Sequence, residues 1–315
     1  MINYNSKNWL EAIRHFRRSY VIRRTVRMVG LVGLFTTFLA LLDWAFHHHP
    51  ELVPLNLSIE IETSVFTLLG VFLSLLLVFR TNSAYDRWWE GRKQWGALIN
   101  HTRGLAVLIN GMTRKEDEVN RRFFARSISS YVLALSDHLR NNSNHDLILR
   151  YSDEQIDELR QLEHVPNKIV NDMWTRIETM YADGFIDGFQ LTTLKPETQS
   201  FLDIQGACER IKATPIPFAH NFFIKLFILA YCFLVPFAMI PMVGFYSIPL
   251  SMFVAYALVG IEYISVEIEE PFGLDCNDLP THNLALKIEK NVHEILAVEL
   301  DRQENEQKEQ YIVIS

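Results

Sequence analysis

Positive charge is missing from two long parts of this chain. All 30 of its Lys and Arg residues lie at 1–27, 80–225 or 287–308, which leaves 28–79 and 226–286 with none. These stretches run 52 and 61 residues, and each holds two apolar runs around a short polar or proline-bearing break. Cysteine is equally scarce. Cys208, Cys232 and Cys276 are odd in number, far apart, and form no CxxC or other metal-ligand spacing. That argues against a disulfide framework and against a zinc site, and no cofactor is expected. A basic surplus is also absent: the formal charge is -7, the wrong sign for a nucleic-acid partner. No secretory signal is legible, because the first 27 residues carry seven basic groups around no continuous apolar core. No strand alternation persists and no internal repeat appears.

What is present fits a bilayer. A spanning helix needs about 20 mostly apolar residues, so each uncharged stretch has room for two crossings and a hairpin. The spans are expected at 28–46, 63–79, 222–245 (broken at Pro236 and Pro241) and 248–264. The positive-inside rule then puts both termini and the long middle segment in the cytoplasm, with membrane lipid around the spans. The expected organisation is a cytoplasmic N-terminal segment at 1–27 and two membrane helices with an extracytoplasmic loop at 28–79. A helical cytoplasmic domain at 80–221, two more membrane helices at 222–264 and a C-terminal cytoplasmic segment at 265–315 follow. Amphipathic patterns mark helices in the middle segment, with Phe123, Ile128, Tyr131, Val132 and Leu135 at helical spacing and Gly184 ending another. The prolines of "TPIPF" stop a helix before the third span, and a long polar-faced helix is expected from Thr281 to about residue 307. The fold class is all-α.

At the end of the second span the run "LLLVFRTNSAYDRWWEGRKQWG" (75–96) passes from hydrocarbon into arginines and tryptophans. Arg80 is expected at the cytoplasmic boundary, where its charge reaches water, since arginine is costly at the bilayer centre. Trp88, Trp89 and Trp95 fit an interfacial belt or a neck below the membrane.

Three motifs, "FRTNSAYDRWWEGRKQWG" (79–96), "GACERIKATPIPFAH" (206–220) and "EEPFGLDCNDLP" (269–280), occur in an order that resembles the bestrophin family, in particular its bacterial branch. The resemblance covers essentially the whole chain. It implies a bacterial inner-membrane ion channel: a homopentamer whose five second helices line one central pore, passively conducting monovalent ions. By family class the pore is a chloride or anion channel. A cation-selective channel for sodium or potassium is the alternative, favoured by the negative charge of the chain and by Glu51, Glu60 and Glu62 in the outer loop.

The resemblance also places site residues. The hydrophobic neck falls on Val71, Leu75 and Phe79, spaced by four, where rings of five side chains would gate by dewetting. Thr63, Thr67, Gly70 and Ser74 form a neighbouring small, hydroxylated stripe suited to helix packing. A second constriction at the cytoplasmic exit falls near Gln190, with Ile186 and Thr192 close by. In animal members the acidic run after "PFG" binds calcium. Here Asp275 and Asp278 remain, but Leu274, Cys276 and Asn277 stand among them. Calcium takes six to eight oxygens, so Asp275 and Asp278 are at most a weak calcium site, and the plainer expectation is that they cap the helix starting near Thr281.

Two other classes fit less well. A secondary transporter calls for repeats and interrupted helices, of which only the prolines of span three are present. A metalloenzyme built on His47, His48 and His49 has no accompanying nucleophile motif, so no catalytic residue is expected.

Overall fold

A computed structural model of the protein describes residues 20–48, 63–114, 116–141, 162–275 and 277–299. Among these the chain is helical, with no strand. The helices are α1 (Tyr20–His48), α2 (Thr63–Met112), α3 (Glu118–Leu139), α4 (Val165–Ala182), α5 (Gly188–Ala213), α6 (Phe218–Val243), α7 (Ser247–Glu269) and α8 (Thr281–Leu296). A single 3-10 turn, Gly244–Tyr246, joins α6 to α7. The chain divides into two compact units. One, the apolar unit, holds the described residues up to Arg87 and Pro215–Glu269; the other, the helical body, holds the described residues from Trp88 to Thr214 and those after Glu269.

In the apolar unit α1 packs on α6 and α7, and α6 packs on α7. Val32, Leu73, Leu77, Ile224, Ile228, Cys232, Ala255 and Val259 form its core. Hydroxyls tie the helices where water is scarce: Thr36 Oγ1 and Ser251 Oγ are 2.9 Å apart, and Thr81 Oγ1 and Ser265 Oγ 3.0 Å. Among the described residues three helical stretches are long and apolar enough to cross a membrane: Val21–His48, Thr63–Met112 and Phe218–Glu269, the last comprising α6, the 3-10 turn and α7.

The break expected at Pro236 and Pro241 does not occur, and α6 runs through both prolines to Val243. A proline removes one backbone donor, and packed neighbours hold such a helix together in apolar surroundings. The chain turns instead at Gly244, whose φ of +57° lies in the left-handed region that glycine enters without a Cβ clash.

In the body α3 packs on α4, α5 and α8, and α4 packs on α5. Ile128, Tyr131, Val132 and Leu135 point into its core as their spacing predicts; Phe124, rather than Phe123, is the fully buried ring of the first turns. Tyr131 donates from its hydroxyl to the Phe201 carbonyl at 2.6 Å and stacks on the Phe201 ring. Trp95 is fully buried in this core, which corrects its expected interfacial place. Its ring belongs to the body's hydrophobic interior. Gly184, with φ +74°, follows the end of α4. The last helix is shorter than its polar pattern predicts: α8 ends at Leu296, Ala297 takes a left-handed conformation at φ +53°, and the Val298 N–H donates to the His293 carbonyl at 3.1 Å.

A close approach within the body yields a direct test. A Cβ on Gly91 would stand 3.1 Å from Phe272 Cζ and 3.2 Å from Pro271 Cγ. Both neighbours are rings with little freedom to move. Gly91→Ala is therefore expected to destabilise the body by about 1–3 kcal/mol, the usual range for overpacking, read as a lower thermal midpoint of the detergent-solubilised protein. An unchanged midpoint would show that the rings give way freely.

Candidate functional site

α2 carries its buried residues on one face. In the apolar unit that face is Phe66, Leu73, Leu77, Arg80 and Ala84, spaced by threes, fours and sevens as a helix face requires. Val71, Leu75 and Phe79 fall on the opposite side of the same helix. They are 65%, 52% and 58% exposed on the protomer. The neighbouring small stripe divides by role. Gly70 lies against Tyr231, whose hydroxyl would be 2.7 Å from a Cβ added there. Thr67 and Ser74 are exposed, and each donates back to its own helix, Thr67 Oγ1 to the Thr63 carbonyl at 3.1 Å and Ser74 Oγ to the Gly70 carbonyl at 2.8 Å.

Arg80 overturns its expectation. It does not reach water: its exposure is 0%. Its Nη2 donates to Glu269 Oε2 at 2.6 Å, and its Nε lies 3.8 Å from Glu262 Oε2. Glu269 Oε1 accepts from the Ile216 backbone N–H at 2.9 Å, and the Glu269 carbonyl accepts from Arg87 Nε at 3.1 Å. One carboxylate thus joins α2, the start of α6 at "TPIPF" and the end of α7. Each of the three sequence motifs has a member at this joint. The pattern of basic residues alone gives no sign of this joint. Glu262 and Glu269 lie in a stretch with no Lys or Arg, so their countercharge had to come from another helix, and an acid in an apolar helix was the available signal.

Two of these motifs, 79–96 and 269–280, meet again in the body. Trp88 Nε1 donates to the Asn277 carbonyl at 3.0 Å, and Gly91 sits against Pro271 and Phe272. Asp275 and Asp278 do not cap α8, whose N-cap is Pro280. Asp278 is buried, and its Oδ2 accepts from the Asp275 backbone N–H at 2.6 Å. The Asp278 N–H in turn donates to the Asp275 carbonyl at 3.1 Å. The pair closes the turn after "PFG", so one carboxylate oxygen is already spent on the backbone. Cys276 lies outside the described residues.

Near the expected exit constriction, Ile186 is buried in the body's core, so its side chain packs inside the protomer. Gln190 belongs to a capping box at the start of α5. Its N–H donates to Asp187 Oδ1 at 2.8 Å, and its Oε1 accepts from the Asp187 N–H at 2.9 Å. Thr192 Oγ1 bonds back to the Gly188 carbonyl. Phe189 projects beside them, 87% exposed. His47 and His48 close the last turn of α1, each ring Nδ1 within 2.9 Å of the carbonyl four residues earlier. His49 and the loop acids Glu51, Glu60 and Glu62 lie outside the described residues.

Long apolar helices, one of them open along a hydrocarbon row and clamped by a buried arginine, make this a helical integral membrane protein. The chain belongs to the bestrophins: the family of bacterial and fungal bestrophin proteins matches residues 1–294. A Nostoc protein named a voltage-dependent anion channel-forming protein is 34% identical over 73% of this chain and 76% of its own length. A Ralstonia nicotianae protein of the same description is 31% identical, covering 89% of this chain and 92% of the relative. In fold the chain is similar to a crystal structure of a bacterial bestrophin homologue from Klebsiella pneumoniae. The TM-score is 0.78 at 23% identity, covering 86% of this chain and 98% of that one.

Proposed function

We propose that the protein is a homopentameric anion channel of a bacterial inner membrane, with Val71, Leu75 and Phe79 forming a hydrophobic neck around the five-fold axis. The observation that carries this reading is the exposed row itself. Three large apolar side chains lie more than half exposed on the face of α2 opposite its buried row. In a ring of five copies that row becomes three stacked hydrophobic collars, which a hydrated ion crosses only when they wet. Thr67 and Ser74 then face the neighbouring copy. Each protomer contributes four membrane helices (α1, the first part of α2, α6 and α7), and both termini and the body are cytoplasmic, as the basic residues at 1–27 and 80–225 favour. Gln190, with the exposed Phe189 beside it, supplies a polar aperture at the cytoplasmic exit, supported from within by Ile186.

Anion conduction rests on the family and on the names its relatives carry. A specific observation favours the opposite sign: each chain carries a formal -7, and five together would concentrate cations at the pore mouths. Reversal potentials of the purified channel under a salt gradient separate the two. A shift toward the chloride equilibrium potential is expected, and a shift toward that of the cation would replace the anion reading. Mass measurement of the solubilised protein is expected to give five chains per particle, and a folded monomer or dimer would end the pore model. The transporter reading ends with the same pentameric result, since a transporter needs no ring.

Calcium is expected to have little influence. Asp278 is committed to the turn, Leu274 offers no side-chain oxygen, and a weakly held ion biases a gate by no more than its differential affinity for the two states. Current is expected to persist unchanged when calcium is chelated. Its loss on chelation would establish Asp275 and Asp278 as a calcium site.

A further inference from the structure

Away from the pore row and the turn after "PFG", three side chains of the body converge. His138 lies in the last turn of α3, His164 at the N-cap of α4 and Glu209 on α5. One ligand atom from each lies within 4.8 Å of those of the other two. His138 Nε2 stands 3.1 Å from Glu209 Oε1, and the two imidazole rings are centred 5.1 Å apart.

The donor set is specific. Calcium and magnesium take oxygen ligands, whereas two imidazoles with one carboxylate suit zinc and its first-row neighbours. In a tetrahedral zinc site with bonds of about 2.0–2.1 Å, adjacent donor atoms stand roughly 3.3–3.4 Å apart. The His138–Glu209 edge is already near that length. His164 is exposed, and although it occupies the N-cap of α4 its side chain makes no capping hydrogen bond. Because His164 is exposed, turning its side chain to close the remaining gap asks no movement of the core. The carboxylate is also held in place: Gln205 Nε2 donates to Glu209 Oε1, the oxygen that faces His138, at 2.8 Å and to Asn167 Oδ1 at 2.7 Å. Such outer partners are what fix a ligand in a metal site. Lys212 brings a positive charge nearby, but its Nζ is engaged by the His138 carbonyl at 2.9 Å and Asn141 Oδ1 at 2.5 Å, on the main-chain side of the imidazole.

We propose that His138, His164 and Glu209 form a binding site for a zinc-type divalent cation, with a fourth position open to water. The three ligands come from three helices of the body, and residues 142–161 lie between the two histidines. A bound ion clasps the end of α3 to the start of α4 and fastens both to α5. The site is independent of the channel reading.

Purified full-length protein in detergent, stripped with chelator and titrated with zinc against a chromophoric chelator, tests this. One tightly held zinc per chain is expected, with a zinc-dependent rise in thermal midpoint. His164→Ala removes an exposed side chain without disturbing the core and is expected to weaken binding at least tenfold, since losing even an outer partner typically costs 10–100-fold. Glu209→Gln is expected to act in the same direction. Cobalt(II) in place of zinc should give the strong visible absorption of a tetrahedral nitrogen–oxygen site, lost in His164→Ala. No zinc binding by the parent would overturn the proposal. So would undiminished binding by His164→Ala, which would place the ion on other histidines.

Discussion

Arg80→Met is expected to cost the folded protomer about 3–5 kcal/mol, the usual effect of removing one partner from a buried ion pair. The reason is the charge left behind. Glu269 lies 2.6 Å and Glu262 3.8 Å from the guanidinium, and without it two carboxylates face each other among apolar helices. Against a total stability of about 5–15 kcal/mol, that loss should appear as a collapse in the yield of folded, detergent-stable particles. Glu269→Gln in the Arg80→Met background is expected to recover part of the yield. It lowers the stranded charge and keeps an oxygen for the Ile216 N–H. Arg80→Met folding as well as the parent would show that the cluster is solvated in the assembled protein and contributes little.

Truncating the exposed row of α2 should have its largest effect on current. In the proposed pentamer, Leu75→Ala and Phe79→Ala would each remove five large side chains, one per chain, widening a collar and lowering the cost of wetting it. Several-fold higher single-channel conductance or open probability is expected in planar bilayers. Stability should be little changed, because both side chains are more than half exposed on the protomer and contribute little to its core. Thr67→Val, on the neighbouring stripe, is expected to disturb assembly rather than current. Parent-like recordings from both alanine variants, with the oligomer intact, would remove Leu75 and Phe79 from the neck.

The helices were legible because each carries a period that chain geometry enforces. The apolar runs of α1, α2, α6 and α7, the core row of α3 and the stop at Gly184 all follow from side-chain spacing and backbone freedom. Less legible were features that depend on what stands opposite in space. Trp95 and Arg80 occupy the same motif and the same face of α2. Both were expected at a wet boundary, and both are buried, one against the hydrocarbon of the body and the other against two acids from α7. Local sequence carries no record of a partner 189 residues away. The prolines of α6 misled for a related reason. A ring that breaks an isolated helix is tolerated where neighbouring helices hold it. The three-residue convergence at His138, His164 and Glu209 had no spacing signal at all, since its members are brought together only by the packing of α3, α4 and α5.

The distance along the chain between Arg80 and its acids also has a meaning in time. At about 5–20 residues per second of synthesis, the 189 residues separating Arg80 from Glu269 occupy the ribosome for about 10–40 s. Throughout that interval the second hydrophobic segment has emerged while its countercharge has not yet been made. A lone guanidinium is costly in the hydrocarbon, so the nascent segment is expected to keep Arg80 at the lipid headgroups until α7 arrives. Burial of the arginine is then a late event in biogenesis, and a chain cut short before Glu262 has no means of completing it.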